Sequence, residues 1–236
     1  MATFRILTVF IVGLGLLVEN DTALADEVMD ARHVIDAATI AVERVRADHK
    51  PAEQLSNLLL QTRGVLVIPA YYKAGFILGG SFGDGVLLKR QPDGAFGDPA
   101  FYRMTSASVG LQVGMQSSEV IFMILTEKGM KAILEDEFKV GANVGISIGA
   151  VGAGAEGATT TNLGNDIVAY SVNAGLFAGG SFVGSVIKPR NDWNAAVYGV
   201  GQDLARYIIE RNQLVYADDL RRALVVEIDP TEAQAN

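Results

Sequence analysis

Glycine within runs of alternating apolar residues is the feature of this 236-residue chain that most limits its fold. Strand-like patterns cover roughly residues 64–125 and 139–188, and many of the chain's 26 glycines lie inside them. Glycine inside a strand marks a bulge, a tight bend or a close approach of other backbone. The sequence therefore predicts a strongly curved, mostly antiparallel sheet or a partial barrel.

One internal similarity supports this interpretation. Residues 74–90 (AGFILGGSFGDGVLLKR) align without gaps with residues 174–190 (AGLFAGGSFVGSVIKPR), and eight of the 17 positions are identical. Chance similarity between two glycine-rich strands is the alternative. We expect two structurally equivalent segments in one curved sheet, and a hairpin turn at residues 83–85 in the first of them.

Helical patterns flank the predicted sheet. Between Asp26 and about Asp48 one apolar stripe recurs at spacings of three and four residues. Its members are Val28, Ala31, Ile35, Ala38, Val42 and Val45. A second helix is expected after Pro51, a short helix capped by Thr126 between the halves of the sheet, and further helices from about Asp192. The predicted fold class is therefore α+β.

The first residues are typical of a secretory signal peptide. Arg5 precedes an apolar run from Ile6 to Val18, and Ala23-Leu24-Ala25 fits an A-x-A cleavage site. The run is shorter than the ~18–20 residues that span a bilayer, and an uncleaved anchor is the alternative. We expect a periplasmic or secreted protein that is peripheral to a membrane. The expected division is a signal peptide at 1–25, a single domain at 26–229 and a C-terminal tail at 230–236.

Composition excludes several classes of function. The chain has no cysteine, which removes thiolate nucleophiles, cysteine-ligated metals and a lipid-modified N-terminal cysteine. Its formal net charge of −8 disfavours nucleic-acid binding, which depends on cations replacing counterions at phosphates. His33 and His49 lie near one helix and do not form a set of three or four converging ligands. We expect no nucleic-acid partner, no metal and no cofactor.

Residues 152–157, GAGAEG, fit the G-x-G-x-x-G pattern of dinucleotide-binding turns. Such a site needs a strand before the turn and a helix after it. A strand pattern precedes these residues, but ATTTNLGN follows, and the two turn residues within it would end a helix early. Leu176 and Phe177 lie where the ribose-binding acid is expected. A loop between two strands is the better interpretation.

Residues 79–83, GGSFG, fit the G-x-S-x-G nucleophile elbow. An elbow lies between a strand and a helix, with its acid and histidine downstream. Here another strand pattern follows, both histidines lie upstream, and the second copy at 179–183 lacks the last glycine. We expect no catalytic residue and no enzyme activity.

Several ordered segments together resemble the SYLF family, also called the Ysc-type actin-binding domain. They are RGVLVIPAYYKAGFILGGSFGDGVLL (63–88), DPAFYRMTSASVGLQVGMQSSEVIFMIL (98–125), GAEGATTT (154–161), GLFAGGSFVGSVIKP (175–189) and NAAVYG (194–199). The resemblance implies a lipid-binding domain without an established catalytic site. It also implies phosphoinositide binding in eukaryotic members, partly through an N-terminal amphipathic helix, actin binding in some fungal members, and export in bacterial members.

The N-terminal helix departs from what the resemblance implies. Residues 26–50 contain six acids and four bases, whereas a helix that lies on a membrane usually has a basic polar face. We expect its apolar stripe to pack onto the sheet rather than to enter a membrane. Anionic phospholipid is the expected ligand of a bacterial, exported member.

Basic residues end both copies of the internal similarity. If the copies are related by pseudo-symmetry, their four cations lie near one rim of the sheet, beside an exposed Tyr71, Tyr72 or Phe101. Such side chains suit a membrane boundary, and ordinary strand-end charge is the alternative. The predicted lipid-binding residues are Lys73, Lys89, Arg90, Arg103, Lys188 and Arg190.

The sequence thus predicts an exported, non-enzymatic protein that contacts anionic phospholipid headgroups at a membrane surface. The alternative is a protein-interaction module on the same domain, either an envelope scaffold or a binder of an actin-like filament. A salt-sensitive affinity for anionic vesicles would favour the first, since salt screens exposed charges.

Overall fold

The chain forms six described helices and eight described strands in an α+β arrangement. The computed structural model describes residues 2–47, 56–75, 78–109, 114–142, 144–151, 165–172, 184–199, 204–211 and 213–226. The helices are α1 (Ala2–Ala47), α2 (56–61), α3 (Glu127–Ile133), α4 (Asn191–Tyr198), α5 (Leu204–Ile208) and α6 (Asp218–Leu224), with a 3₁₀ turn at Val215–Ala217. The strands are β1 (Gly64–Gly75), β2 (Leu78–Lys89), β3 (Ala100–Val109), β4 (Gly114–Ile124), β5 (Phe138–Lys139), β6 (Ile146–Val151), β7 (Ile167–Val172) and β8 (Val186–Pro189).

The described strands form one sheet in the order β5-β8-β3-β2-β1-β4-β7-β6. Six neighbouring pairs are antiparallel, and only β6 and β7 run parallel. The predicted fold class, a curved and mostly antiparallel sheet with N-terminal and C-terminal helices, is confirmed.

The predicted hairpin turn at residues 83–85 is wrong, because these residues lie inside β2. A Cβ atom on Gly83 would lie 2.5 Å from the carbonyl oxygen of Ala70, and one on Gly85 would lie 2.2 Å from that of Val67. The pairing of β1 with β2 shifts register between Val67 and Tyr72. These two glycines therefore let β2 lie close against a bulged neighbouring strand.

Helix α1 covers one face of the sheet with its apolar stripe. Ala31, Ile35, Ala38, Val42 and Val45 are at most 1% exposed. They share a core cluster with sheet residues, which include Val65, Val67, Val86, Leu88, Ile121 and Met123. The predicted packing of the stripe onto the sheet is confirmed for these five residues, whereas Val28, its predicted first member, is only partly buried. Among the described helices, none is long and apolar enough to cross a membrane.

The opposite face of the sheet packs against α3 and α5. This second cluster includes Leu66, Tyr102, Phe122, Met130, Ile133 and Ile208. Thr126 caps α3 as predicted, because its hydroxyl accepts a hydrogen bond from the Gly129 N–H (3.0 Å) and donates one to Asp166 (2.7 Å). The sheet therefore lies between two helical layers, and the site described next lies where these layers leave it exposed.

Candidate functional site

Two of the predicted cations converge on one carboxylate. Arg103 donates hydrogen bonds from Nε and Nη2 to Asp84 (2.6 and 2.7 Å), and Arg190 donates one from Nη1 to the same group (2.9 Å). Arg190 also donates to Asp192 at 2.6–3.1 Å, and its guanidinium lies 3.9 Å from the ring centroid of Trp193. Arg190 is thus held by three partners, whereas Arg103 keeps 41% of its side chain exposed.

These contacts shift the pKa values of their partners. Burial opposes the charge on Arg190, but hydrogen bonds to Asp192 and Asp84 outweigh it and raise the arginine pKa. The hydrogen bonds from Arg190 lower the pKa of Asp192. Both groups therefore stay ionised across the physiological pH range.

Strand register places Lys188 beside Arg103. Arg103 on β3 lies opposite Asp84 on β2 and opposite Lys188 on β8. The Lys188 Nζ lies 2.7 Å from Oε2 of Glu137, and Lys139 lies 3.5 Å from the other oxygen of that carboxylate. The hydrogen bond from Lys188 lowers the pKa of Glu137. A row of charged side chains thus crosses three strands, and Lys188 is 55% exposed within it.

Lys89 and Arg90 lie elsewhere and have other partners. Lys89 forms an ion pair with Glu210. Arg90 donates a hydrogen bond to the carbonyl of Leu59 (2.9 Å) and lies 5.1 Å from the ring centroid of Phe96. Burial lowers the pKa of Arg90. These contacts connect the end of β2 to neighbouring segments rather than to the charged row.

The two similar segments flank the same strand but are offset along it. Leu87 lies opposite Ala100, whereas Lys188 lies opposite Arg103. Lys89 lies two residues beyond Leu87, so at about 3.3 Å per residue the positions of Lys89 and Lys188 along β3 differ by roughly 17 Å. The four cations predicted to share one rim are therefore separated into two pairs. Residues 174–183 of the second segment lie outside the described residues.

An exposed aromatic pair adjoins the charged row. Tyr72 on β1 lies directly opposite Phe82 on β2, with ring centroids 5.7 Å apart, and the two residues are 47% and 52% exposed. Phe82 precedes Asp84 by two residues, so both side chains lie on the same face of β2. We call Tyr72, Phe82, Arg103 and Lys188 the aromatic–cationic surface.

Tyr71 and Phe101, two of the aromatic residues predicted to be exposed at the rim, are buried. Tyr71 follows the register shift of β1 and belongs to the core cluster on the α3 face. Phe101 packs edge-on against Trp193, with centroids 5.9 Å apart. Phe82 was missed because a turn was predicted directly after it, although its alternation with Asp84 would have placed it on the exposed face. The side chain of Lys73 lies outside the described part of the structure.

The charges around this surface nearly balance. The bases are Arg103, Lys139, Lys188 and Arg190, and the acids are Asp84, Glu137 and Asp192. Among the side chains that the structure describes here, four positive and three negative charges leave a surplus of one positive charge, on a chain of net charge −8. The surface suits weak contact with an anion rather than tight electrostatic capture.

The described residues contain no arrangement that supports the two catalytic motifs. Ser81 of the G-x-S-x-G match lies in the middle of β2 and is buried, without the strand-to-helix turn of a nucleophile elbow. The G-x-G-x-x-G match at 152–157 lies outside the described residues. No group of three or more His, Asp or Glu residues suited to a metal ion occurs in the described ranges.

The structure thus combines a curved, mostly antiparallel sheet, two helical layers and an exposed aromatic–cationic surface. A sequence model of the Ysc84 family, described as "Las17-binding protein actin regulator", matches residues 105–225. This match covers just over half of the chain, and the chain belongs to the Ysc84 family. The resemblance to the SYLF, or Ysc-type, domain family is thereby confirmed.

Yeast and mammalian proteins are similar to this chain. LAS seventeen-binding protein 3 of Saccharomyces cerevisiae is 34% identical over 146 residues, which cover 61% of this chain and 32% of that protein. Protein YSC84 of the same yeast is 34% identical over 145 residues, covering 60% and 31%. SH3 domain-containing YSC84-like protein 1 of Mus musculus is 26% identical over 173 residues, covering 72% and 50%. The chain thus spans about a third to a half of the length of these relatives.

Proposed function

We propose that this chain is an exported, non-enzymatic lipid-binding protein that contacts anionic phospholipid headgroups at a membrane surface. One observation carries the proposal. The exposed pair of Tyr72 and Phe82 lies beside the half-exposed cations Arg103 and Lys188. Aromatic rings and long cationic side chains are the groups that bridge the boundary between water and lipid.

The expected affinity follows from the exposed area and charge. Large aromatic side chains bury about 150–250 Å², so half-exposed rings leave about 100 Å² each for contact with lipid. At about 25 cal/mol/Å², the two rings contribute roughly 4–5 kcal/mol as an upper limit. The single surplus charge adds about 1 kcal/mol near an anionic surface. A total on the order of 5 kcal/mol corresponds to a dissociation constant near ~0.2 mM, which is weak and reversible.

The export part of the proposal rests on the N-terminal pattern. The stripe residues of α1 that are buried against the sheet begin at Ala31, after the expected cleavage site at Ala25. Removal of residues 1–25 therefore leaves the contacts between this stripe and the sheet intact. Intact-mass measurement of protein recovered from an expressing cell's envelope or medium tests this part, and a chain that still begins at Met1 there contradicts it.

Co-sedimentation with vesicles tests membrane contact. The chain from Asp26 is mixed with phosphatidylcholine vesicles with and without phosphatidylglycerol, at low and high salt, because the apolar residues 6–18 would bind lipid by themselves. We expect binding to the anionic vesicles that weakens with salt. Equal binding to both kinds of vesicle would contradict the electrostatic part of the proposal.

Matched variants locate the contact. Tyr72→Ser with Phe82→Ser removes the aromatic pair, and Arg103→Gln with Lys188→Gln removes the two cations. Arg222→Gln is the control, because its side chain is 73% exposed on α6 and pairs with an equally exposed acid. We expect both double variants to lose most of the binding and the control to retain it. Retained binding in both double variants would place the contact elsewhere on the chain.

A second candidate function is a protein-interaction module. It is favoured by the family description and by the name of the yeast relative, which refer to Las17 binding and actin regulation. Co-sedimentation with actin filaments in the absence of lipid discriminates the two functions. Filament binding without vesicle binding would support the second candidate over the first.

A further inference from the structure

A cleft lies between α3 and β5, and its rim residues Glu137 and Lys139 adjoin Lys188 of the aromatic–cationic surface. Its cavity volume is about 650 Å³, and α3, the turn after it and β5 with the following residues form its walls. Cavities of about 300–1,000 Å³ hold small molecules in proteins. The cleft therefore has the size of a ligand site, and the proposed membrane contact does not use it.

The floor of the cleft is apolar. Phe138 and Val144 line it and are buried in the core cluster on the α3 face of the sheet. Ala132 and Ala142 add two small side chains to the wall. An apolar body of a ligand can thus lie against the core without meeting an unpaired polar group of these residues.

The rim of the cleft carries three lysines and two glutamates. They are Lys128, Lys131, Glu135, Glu137 and Lys139. Two of these charges are compensated by residues that do not line the cleft. The Lys128 Nζ lies 3.0 Å from Oδ2 of Asp166, and Lys188 holds Glu137 at 2.7 Å.

The remaining charges leave one positive charge in the cleft. Once the two compensated charges are set aside, the positive charges of Lys131 and Lys139 are balanced by Glu135 alone. Lys139 also lies 3.5 Å from the compensated Glu137. Within the described residues Lys131 forms no ion pair, and it is exposed on α3, so its ammonium group is accessible to a ligand. A single anionic group is the charge that neutralises this arrangement.

We infer that this cleft binds an amphipathic monoanion. Lys131 and Lys139 hold one carboxylate or phosphate diester group, and an apolar chain or ring lies over Phe138 and Val144. The inference concerns a separate ligand from the proposed membrane contact, because none of Tyr72, Phe82, Arg103 and Lys188 lines the cleft. The two sites adjoin each other, since Lys188 pairs with Glu137 at the rim of the cleft. The cleft would bind single molecules of a soluble ligand, whereas the aromatic–cationic surface would contact a bilayer.

Titration of the full ¹⁵N-labelled chain with three eight-carbon probes tests the inference. Octanoate and methyl octyl phosphate carry one negative charge each, and octyl glucoside is the neutral control, all kept below their micelle concentrations. We expect both anions to shift the amide resonances of cleft-lining residues. We expect them to bind about tenfold more tightly than the glucoside, the difference that the contacts of two exposed lysines, together ~1.4 kcal/mol, produce. Binding of only one anion would support the site and identify its headgroup class. Equal affinity for the glucoside, or shifts confined to other regions, would overturn it.

Variants at the rim separate this site from nonspecific binding. Lys131→Ala is expected to weaken anion binding about two- to fivefold, the range of an exposed ion pair, and the additional change Lys139→Ala to weaken it further. Ala142→Trp fills the cleft from its exposed wall and should abolish binding. Arg222→Ala is the charge-matched control on α6 and should bind as the parent does. Unchanged affinity in the double lysine variant refutes the inference, and the thermal midpoint of each variant shows that it is folded.

Discussion

Asp84 is the carboxylate that neutralises the arginines nearest to the aromatic pair, and Asp84→Asn releases that charge with little change in shape. The amide oxygen still accepts one of the two hydrogen bonds from Arg103. Arg190 keeps its hydrogen bonds to Asp192 and its contact with Trp193. The change therefore alters the charge of the surface more than its architecture.

The two expected effects have opposite signs. The positive surplus around the aromatic–cationic surface rises from one to two, and a basic charge near an anionic membrane contributes about 1 kcal/mol. Affinity for anionic vesicles should therefore rise about fivefold. The free energy of unfolding should fall by about 1 kcal/mol. Asp84 is only 16% exposed, which strengthens its ion pair with Arg103, but the greater exposure of Arg103 limits that strength. A variant that had simply lost structure would not bind anionic vesicles more tightly, so higher affinity together with lower stability would identify the charge effect.

Vesicle co-sedimentation and urea unfolding measure the two effects on the same preparation. Asp219→Asn is the matched control, because it makes the same change in net charge on α6, where Asp219 pairs with the exposed Arg222. The reasoning is refuted if Asp84→Asn binds anionic vesicles no more tightly than this control. It is also refuted if the gain in affinity survives at high salt, since screening should remove it.

Three further changes test the fold around the site. Asp98→Ala removes the carboxylate that accepts hydrogen bonds from the buried Arg221 and from the backbone N–H groups of Gln213 and Leu214. The free energy of unfolding in urea should fall by about 3–5 kcal/mol, and a fall below 1 kcal/mol would contradict this. Gly85→Ala places a methyl group 2.2 Å from a carbonyl oxygen and should lower the free energy of unfolding by about 1–3 kcal/mol. Gly80→Ala is the control and should unfold like the parent, because the atom nearest to its added methyl group is 3.9 Å away. Equal urea midpoints for the two variants would show that the bulge is not rigid. Lys188→Ala should raise the pKa of Glu137 toward its ordinary value of 4.5 in an NMR titration. In the parent, the lowered pKa stabilises the fold above pH 4.5, and this stabilisation is lost as the pH falls through the lowered pKa; the variant should lack it. An unchanged pKa would count against the ion pair.

Much of the fold was predictable because it depends on local patterns. The stripe that includes Ala31, Ile35 and Val42 follows the helical period, and it is buried as expected. Thr126 was recognisable as a cap from its position before a helical segment, and it caps α3. The prediction of a turn at residues 83–85 was wrong because glycine and aspartate occur in turns, while glycine also occurs where strands approach closely. Only the bulged neighbouring strand decides which of these two structures forms here.

The site was predictable only in part. The internal similarity grouped Lys188 and Arg190 with the end of the first copy, and sequence proximity to that copy added Arg103. The sheet brings Arg103, Lys188 and Arg190 to one row of charges. The same reasoning placed Lys89 and Arg90 with them, because an internal similarity shows which segments are alike but not how they are shifted along a shared neighbour. Their lipid-binding role stays a prediction for the vesicle experiments.

The sequence by itself determined the class of the molecule: a glycine-rich, mostly antiparallel sheet with helices at both ends, in a recognisable family. The strands and helices follow from periods of two and 3.6 residues, which neighbouring residues express without the rest of the chain. The family follows from the resemblance of several ordered motifs, not from these periods. Only the tertiary structure decided that Phe82 stands exposed beside Tyr72, that Tyr71 is buried, and that one carboxylate holds two arginines. Strand register and the bulge in β1 control those outcomes, and both depend on pairing between segments that are distant in sequence.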